Sequence, residues 1–184
     1  MSDAKTPFLT DVKTLRDRAR QHLSRGAVTS TYTGDVGKTI ELLQGVLATE
    51  IVCVLRYKRH HYMASGIHAQ AVAQEFLEHA EEEQRHADLI AERITQLNGE
   101  PNFSPEGLAT RSRSEYVEGV SLIEMIQEDL VAERVAIESY GEIVRFLGND
   151  DPTSRRLMEE ILAKEEEHAE DLKTLLDTLG PATT

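Results

Sequence analysis

The sequence predicts an all-α protein: an antiparallel four-helix bundle with a long crossover between the second and third helices, plus a short N-terminal helix. Three observations carry this. Gly (11) and Pro (5) are scarce among the 184 residues and crowd into a few short stretches, leaving long uninterrupted runs. Within those runs apolar residues recur at alternating steps of three and four, the period of helices packed on helices. The connections run short, long, short. That makes antiparallel neighbours of the first and last pairs and lets the middle stretch cross the bundle lengthwise.

Taken in order, residues 1–9 read as a loose tail, and Val12, Leu15, Ala19 and Leu23 mark a short amphipathic helix over about 11–24. Gly26 and the polar stretch Thr29 to Gly34 end this N-terminal part, residues 1–35, ahead of a bundle domain over 36–184. The first long helix, about 36–64, carries Ile40, Leu43, Leu47, Glu50, Val54, Tyr57 and His61, and Gly66 closes it. The second, about 68–98, runs through Ala73, Phe76, Ala80, Glu83, Ala87, Ile90, Ile94 and Leu97 to the stop Asn98-Gly99. Two prolines and several turn residues make 99–116 the long connection. The third helix, about 117–148, holds Ile123, Ile126, Leu130, Glu133, Ile137, Tyr140, Val144 and Leu147 before Gly148. The fourth, about 152–179, opens with Asp151-Pro152, an N-cap and a first-turn proline. It continues through Leu157, Ile161, Glu165, His168, Leu172, Leu175 and Leu179, and Gly180-Pro181 argues against a further helix.

Acidic residues number 33 against 20 basic, a net charge of −13. That argues against nucleic acid or an anionic membrane as partner, and suits a solvated helix surface or an attraction for cations. Cys53 is the only cysteine, which excludes an intramolecular disulfide and a Cys-rich metal site. No apolar run approaches the roughly 20 residues of a membrane span, and no apolar signal segment is visible, so a cytoplasmic protein is expected.

Each long helix has a glutamate in its apolar seam: Glu50, Glu83, Glu133 and Glu165. Burying one carboxylate costs several kcal/mol unless it is neutralised or paired, so four converging on one core require something positive between them. Two of the four belong to Glu-x-x-His pairs, Glu83 with His86 and Glu165 with His168, whose side chains leave the same helix face. Carboxylates with neutral imidazoles suit iron, manganese or zinc rather than calcium. A lone Glu-x-x-His is weak evidence; the register is stronger. Glu50 and Glu83 are 33 residues apart, Glu133 and Glu165 are 32 apart, and EEEQRHADL echoes KEEEHAEDL. Tyr57 follows Glu50 by seven residues, as Tyr140 follows Glu133. The chain reads as two hairpins of one design, whose six ligands would meet at mid-bundle.

Over residues 36–179 these hairpins resemble the ferritin superfamily, in particular bacterioferritins and the Dps-like ferritins with the same ligand pattern. The resemblance implies a di-iron centre in which Glu83 and Glu165 bridge two irons. Glu50 and His86 would complete one site, Glu133 and His168 the other, and Tyr57 matches the tyrosine that bacterioferritins place nearby. It also implies a ferroxidase that oxidises Fe(II) with O2 or H2O2 for iron storage, detoxification and homeostasis, working as a homo-oligomer. Gln84 stands where bacterioferritins carry a haem-ligating Met, so haem is not expected. Bacterioferritins add a short fifth helix, which is not expected after Gly180-Pro181, and this favours a shell of 12 subunits or a lesser oligomer. Rubrerythrins carry a further carboxylate where this chain has Ala136, which separates it from them. The rival readings are a non-storage di-metal oxidase or peroxidase of the rubrerythrin kind and a Dps-type stress-protection protein.

The remaining candidates read more plainly. Cys53, one turn after Glu50, is expected as a small buried residue rather than a redox thiol. His60 and His61 close the first long helix, where a cation complements the dipole. His22, His68 and His79 read as surface residues, and Tyr140 as a core residue hydrogen-bonded to a site carboxylate.

Overall fold

A computed structural model describes residues 9–67 and 69–179. In chain order the helices are α1 (Val12–Ala19), α2 (Val36–Met63), α3 (Ala69–Gln96), α4 (Leu108–Arg111), α5 (Leu122–Leu147) and α6 (Pro152–Leu179), with a 3-10 turn at Leu23–Arg25. The four long ones form the bundle: α2 packs antiparallel to α3, α5 packs antiparallel to α6, and the crossover carrying α4 lies against α2. Among the described residues no helix is long and apolar enough to cross a membrane. The expected loose tail, His68 and the stretch after Leu179 fall mostly or wholly outside the described residues.

Helix ends follow from local chemistry. Asp35 caps α2 by accepting from the backbone N–H of Lys38 at 2.9 Å, and Asp151 caps α6 through the N–H of Ser154 at 2.9 Å. Asn98 ends α3 in the left-handed conformation, φ 66°. Two predicted boundaries move. The N-terminal helix stops at Ala19 rather than about 24, because His22 turns left-handed (φ 54°) and no residue of the helix is buried to hold another turn. The third long helix starts at Leu122 rather than about 117. Ser121 caps it, and Gly119 just before has φ 61°, where a Cβ would meet Met125 at 2.9 Å.

The core has two apolar halves. One gathers Leu43, Leu47, Ile90, Ile94, Leu147 and Ile161 toward the N-terminal end of α2; the other gathers Tyr57, Phe76, Ala80, Ile126 and Leu172 toward its C-terminal end. Between them lies a layer of polar side chains.

Buried polar bonds fasten the crossover to the bundle. Arg56 Nε donates to Asp129 at 2.7 Å, and its Nη1 donates to Ser114 Oγ and Glu115 O at 3.0 and 2.9 Å. His60 bonds Asp129 at 2.8 Å and Val117 O at 3.1 Å. His60 thus ties the crossover to α2, and His61 donates to Ala73 O at 2.7 Å. The N-terminal segment is tied at the other end: Val28 is buried, Asn98 donates to Arg25 O at 2.9 Å and Tyr32 donates to Asp151 at 2.8 Å. Tyr32→Phe should cost about 1 kcal/mol, the typical worth of one hydrogen bond. Denaturant unfolding measures it, and an unchanged midpoint would show that this tie contributes nothing.

Candidate metal centre

The polar layer contains all four seam glutamates and both histidines of the Glu-x-x-His pairs. Glu50 on α2, Glu83 and His86 on α3, Glu133 on α5, and Glu165 and His168 on α6 are all buried. They converge as two overlapping groups, Glu50–Glu83–His86–Glu165 and Glu83–Glu133–Glu165–His168, each with ligand atoms within 4.8 Å of one another. Glu83 and Glu165 belong to both, and they divide their oxygens. Nδ1 of His86 lies 3.6 Å from Glu83 Oε2 and 3.1 Å from Glu165 Oε1. Nδ1 of His168 lies 3.4 Å from Glu83 Oε1 and 3.7 Å from Glu165 Oε2. Each shared carboxylate thus shows one oxygen to each histidine.

The tyrosines complete the same pseudo-twofold pattern. Tyr57 of α2 donates its hydroxyl proton to Glu133 of α5, and Tyr140 of α5 donates to Glu50 of α2. Tyr140 therefore does what the sequence suggests, and Tyr57 does the same. Burial, and then the carboxylate each one faces, push both phenols well above their ordinary pKa, which keeps the protons on the tyrosines.

Electrostatics in the layer reflect crowding. Burial, reinforced by the charges of Glu83 and Glu165, raises both Glu50 and Glu133 well above the carboxylate range. Burial opposes ionisation of Glu83 too, but the close approach of Glu50, His168 and His86 outweighs it and lowers its pKa. The histidines gain protons: burial opposes this, yet Glu165, Glu50 and Glu83 raise His86, and Glu165 and Glu83 push His168 up to about 11. Protons are standing in for positive charge.

Donor chemistry fits a metal pair. Glu83 Oε1, Glu133 Oε2, both oxygens of Glu165 and Nδ1 of His168 are buried without a hydrogen-bond partner, which buried polar atoms rarely tolerate. On the far side of its ring, His168 Nε2 lies 2.7 Å from Glu82 Oε2. Once a cation displaces the proton on Nδ1, a carboxylate that accepts from Nε2 would keep the ring in the tautomer whose Nδ1 lone pair faces the cluster.

Two residues escaped the sequence reading. Glu82 is one of three successive glutamates, so periodicity could not single it out. His79, read as a surface residue, is 3% exposed and stacked on His168, with ring centroids 4.0 Å apart. Burial and the neighbouring His168 lower its pKa to about 3, so the ring is neutral. The signal was available, since His79 lies four residues before Glu83 on the same helix face. Cys53 is buried as expected, and burial raises its thiol pKa, so it is an inert packing residue.

A family model for the ferritin-like domain matches residues 40–180. The chain belongs to the ferritin family. This ferritin is 33% identical to the bacterioferritin of Brucella melitensis over 146 residues, 78% of this chain and 85% of that one. It is 30% identical to the bacterioferritin of Desulfovibrio desulfuricans over 132 residues, 71% of this chain and 70% of that one. Among solved structures, the bacterioferritin-related protein of Bacteroides fragilis, described as a dodecameric thioferritin, is 34% identical with a TM-score of 0.76. That match covers 79% of this ferritin and 88% of the other chain. The D. desulfuricans bacterioferritin, studied with its diiron site in different catalytic states, is 28% identical with a TM-score of 0.69, covering 79% and 83%.

Proposed function

We propose that this ferritin is a ferroxidase that takes two Fe(II) per chain as substrate and oxidises them with O2 or H2O2 for iron storage and detoxification. One observation carries the reading: Glu83 and Glu165 each present one oxygen to each of two histidine-centred groups, which suits two cations held side by side. Two adjacent Fe(II) can deliver two electrons together to one oxidant. Glu50 with His86 would complete one cation's ligands, and Glu133 with His168 the other's. Tyr57 and Tyr140 hold the two terminal carboxylates, and Glu82 fixes the tautomer of His168. Occupation of the centre would release the protons now held there, so uptake should weaken as pH falls.

Anaerobic Fe(II) titration should saturate the buried centre at two per chain, and saturation well below two would overturn the assignment. Tyr57→Phe fills the same space but leaves Glu133 unheld. It should weaken Fe(II) binding roughly 10- to 100-fold, as loss of an outer-shell partner does, and an unchanged titration midpoint would remove the tyrosine from the site.

Storage needs a closed assembly. The relative from B. fragilis is described as dodecameric, and twelve chains of 20.6 kDa here would weigh about 250 kDa. Light scattering coupled to gel filtration should find that mass. A stable dimer would favour a non-storage oxidase.

A further inference from the structure

On the side of the bundle formed by α3 and α6, a second group of ligand-type residues adjoins the buried centre. Glu75 and His79 occupy successive turns of α3 before Glu83, and Asp171 stands one turn after His168 on α6. Their ligand atoms all lie within 4.8 Å of one another. His79 is buried, whereas the side chains of Glu75 and Asp171 are 33% and 47% exposed, so the group spans from solvent to the ring stacked on His168.

Hydrogen bonding fixes which nitrogen of His79 is free. Tyr57 gives its only proton to Glu133, so its oxygen can only accept from His79 Nδ1, 3.2 Å away. Nδ1 therefore carries a proton, and Nε2 is the nitrogen left to meet the carboxylates. Nε2 points between Glu75 Oε1 at 3.5 Å and Asp171 Oδ2 at 3.8 Å and forms a hydrogen bond with neither. An imidazole nitrogen of a buried histidine, hydrogen-bonded to neither, thus faces two carboxylates, an arrangement that suits a cation.

The internal repeat shows that packing does not require these residue types. At the offset of 82 residues that relates Glu83 to Glu165, the counterparts of Glu75, His79 and Asp171 are Leu157, Ile161 and Leu89. All three positions are apolar in the other half. The polar trio exists on one side only, next to His168.

We propose that Glu75, His79 and Asp171 form a third divalent-cation site, through which Fe(II) passes from solvent to the buried pair. One imidazole with two carboxylates suits Fe(II), Mn(II) or Zn(II). Glu82, 28% exposed and bonded to His168, continues the line of carboxylates toward the centre. Only the cation's destination rests on the proposed ferroxidase reading; the third site stands on its own three residues.

Co(II), which O2 does not readily oxidise at such sites, is the probe. Crystals of the full chain loaded with Co(II) should show three anomalous peaks per chain, two in the buried centre and one at His79 Nε2. In the double variant Glu75→Gln/Asp171→Asn the third peak should vanish while the pair remains, and tight Co(II) binding in solution should fall from three to two per chain. Two peaks in both proteins, with equal stoichiometry, would overturn the third site and leave the paired centre standing. A peak at His79 without any in the centre would support the third site and overturn the paired reading instead.

Discussion

Glu83→Ala should abolish rapid Fe(II) oxidation. Glu83 presents Oε1 to His168 and Oε2 to His86, so its removal strips a ligand from both halves of the centre at once. The rate of Fe(III) appearance after aerobic Fe(II) addition should fall by more than the roughly 10- to 100-fold that loss of an outer-shell partner costs a metal site. Far-ultraviolet circular dichroism separates this from unfolding, because the apolar halves above and below the layer do not depend on Glu83. Oxidation at the native rate in a folded variant would refute the shared-ligand role.

The metal-free protein should become more stable as pH falls from about 8 to about 5, opposite to the usual behaviour of paired carboxylates. Glu50 and Glu133 have raised folded pKa values. Their contribution is therefore complete below the ordinary value of 4.5 and is lost as pH rises through the folded value. His86 and His168 are raised too, so theirs is complete below 6.5 and is lost as pH rises, through about 11 for His168. His79 opposes them: lowered to about 3, it contributes stability above 6.5 that is lost as pH falls through the interval down to 3. Glu83, also lowered, loses its contribution below 4.5. From pH 6.5 upward His86 and His168 favour the acidic side, and Glu50 and Glu133 add to this up to their own raised values. Between 4.5 and 6.5 two carboxyl groups outweigh one histidine, and below that the trend reverses. Glu133→Gln supplies the neutral form permanently while still accepting from Tyr57. It should stabilise the chelator-treated protein at pH 8 by about 1–4 kcal/mol, the range for replacing buried charge with well-packed neutral groups, and flatten the pH dependence. Melting in chelator decides it. A flat native profile, or destabilisation by Glu133→Gln at pH 8, would contradict a proton-hungry cluster.

Glu83 and Glu133 are legible in the sequence, since a seam of period three and four makes any glutamate inside it conspicuous. The repeat spacing of 82–83 residues then specified which glutamates and histidines belong together, because two equivalent hairpins related by a twofold place equivalent residues at one level. Helix type and order were equally legible. Boundaries were less so: His22 adopts a left-handed conformation, and Ser121 caps α5 at the end of a crossover that Arg56 and His60 hold against the bundle.

Packing between helices was needed to place the polar groups whose partners lie far away in the chain. Periodicity assigns a residue to a helix face, but not to the depth or neighbour that fixes its protonation. His79 looked like a surface histidine until α6 laid His168 against it. Glu82 could not be told from Glu81 until α6 brought His168 Nε2 to 2.7 Å. Arg56, Asp129 and His60, separated by up to 73 residues, form one buried network only because the crossover folds back over α2. The four-helix architecture and the six ligand-type residues were legible along the chain, because both rest on local spacing along a helix. The division of the Glu83 and Glu165 oxygens, the crossed tyrosine bonds and the protonation of each histidine depended on packing between helices, because hydrogen bonds act over a few ångströms across sequence separations that no local pattern records.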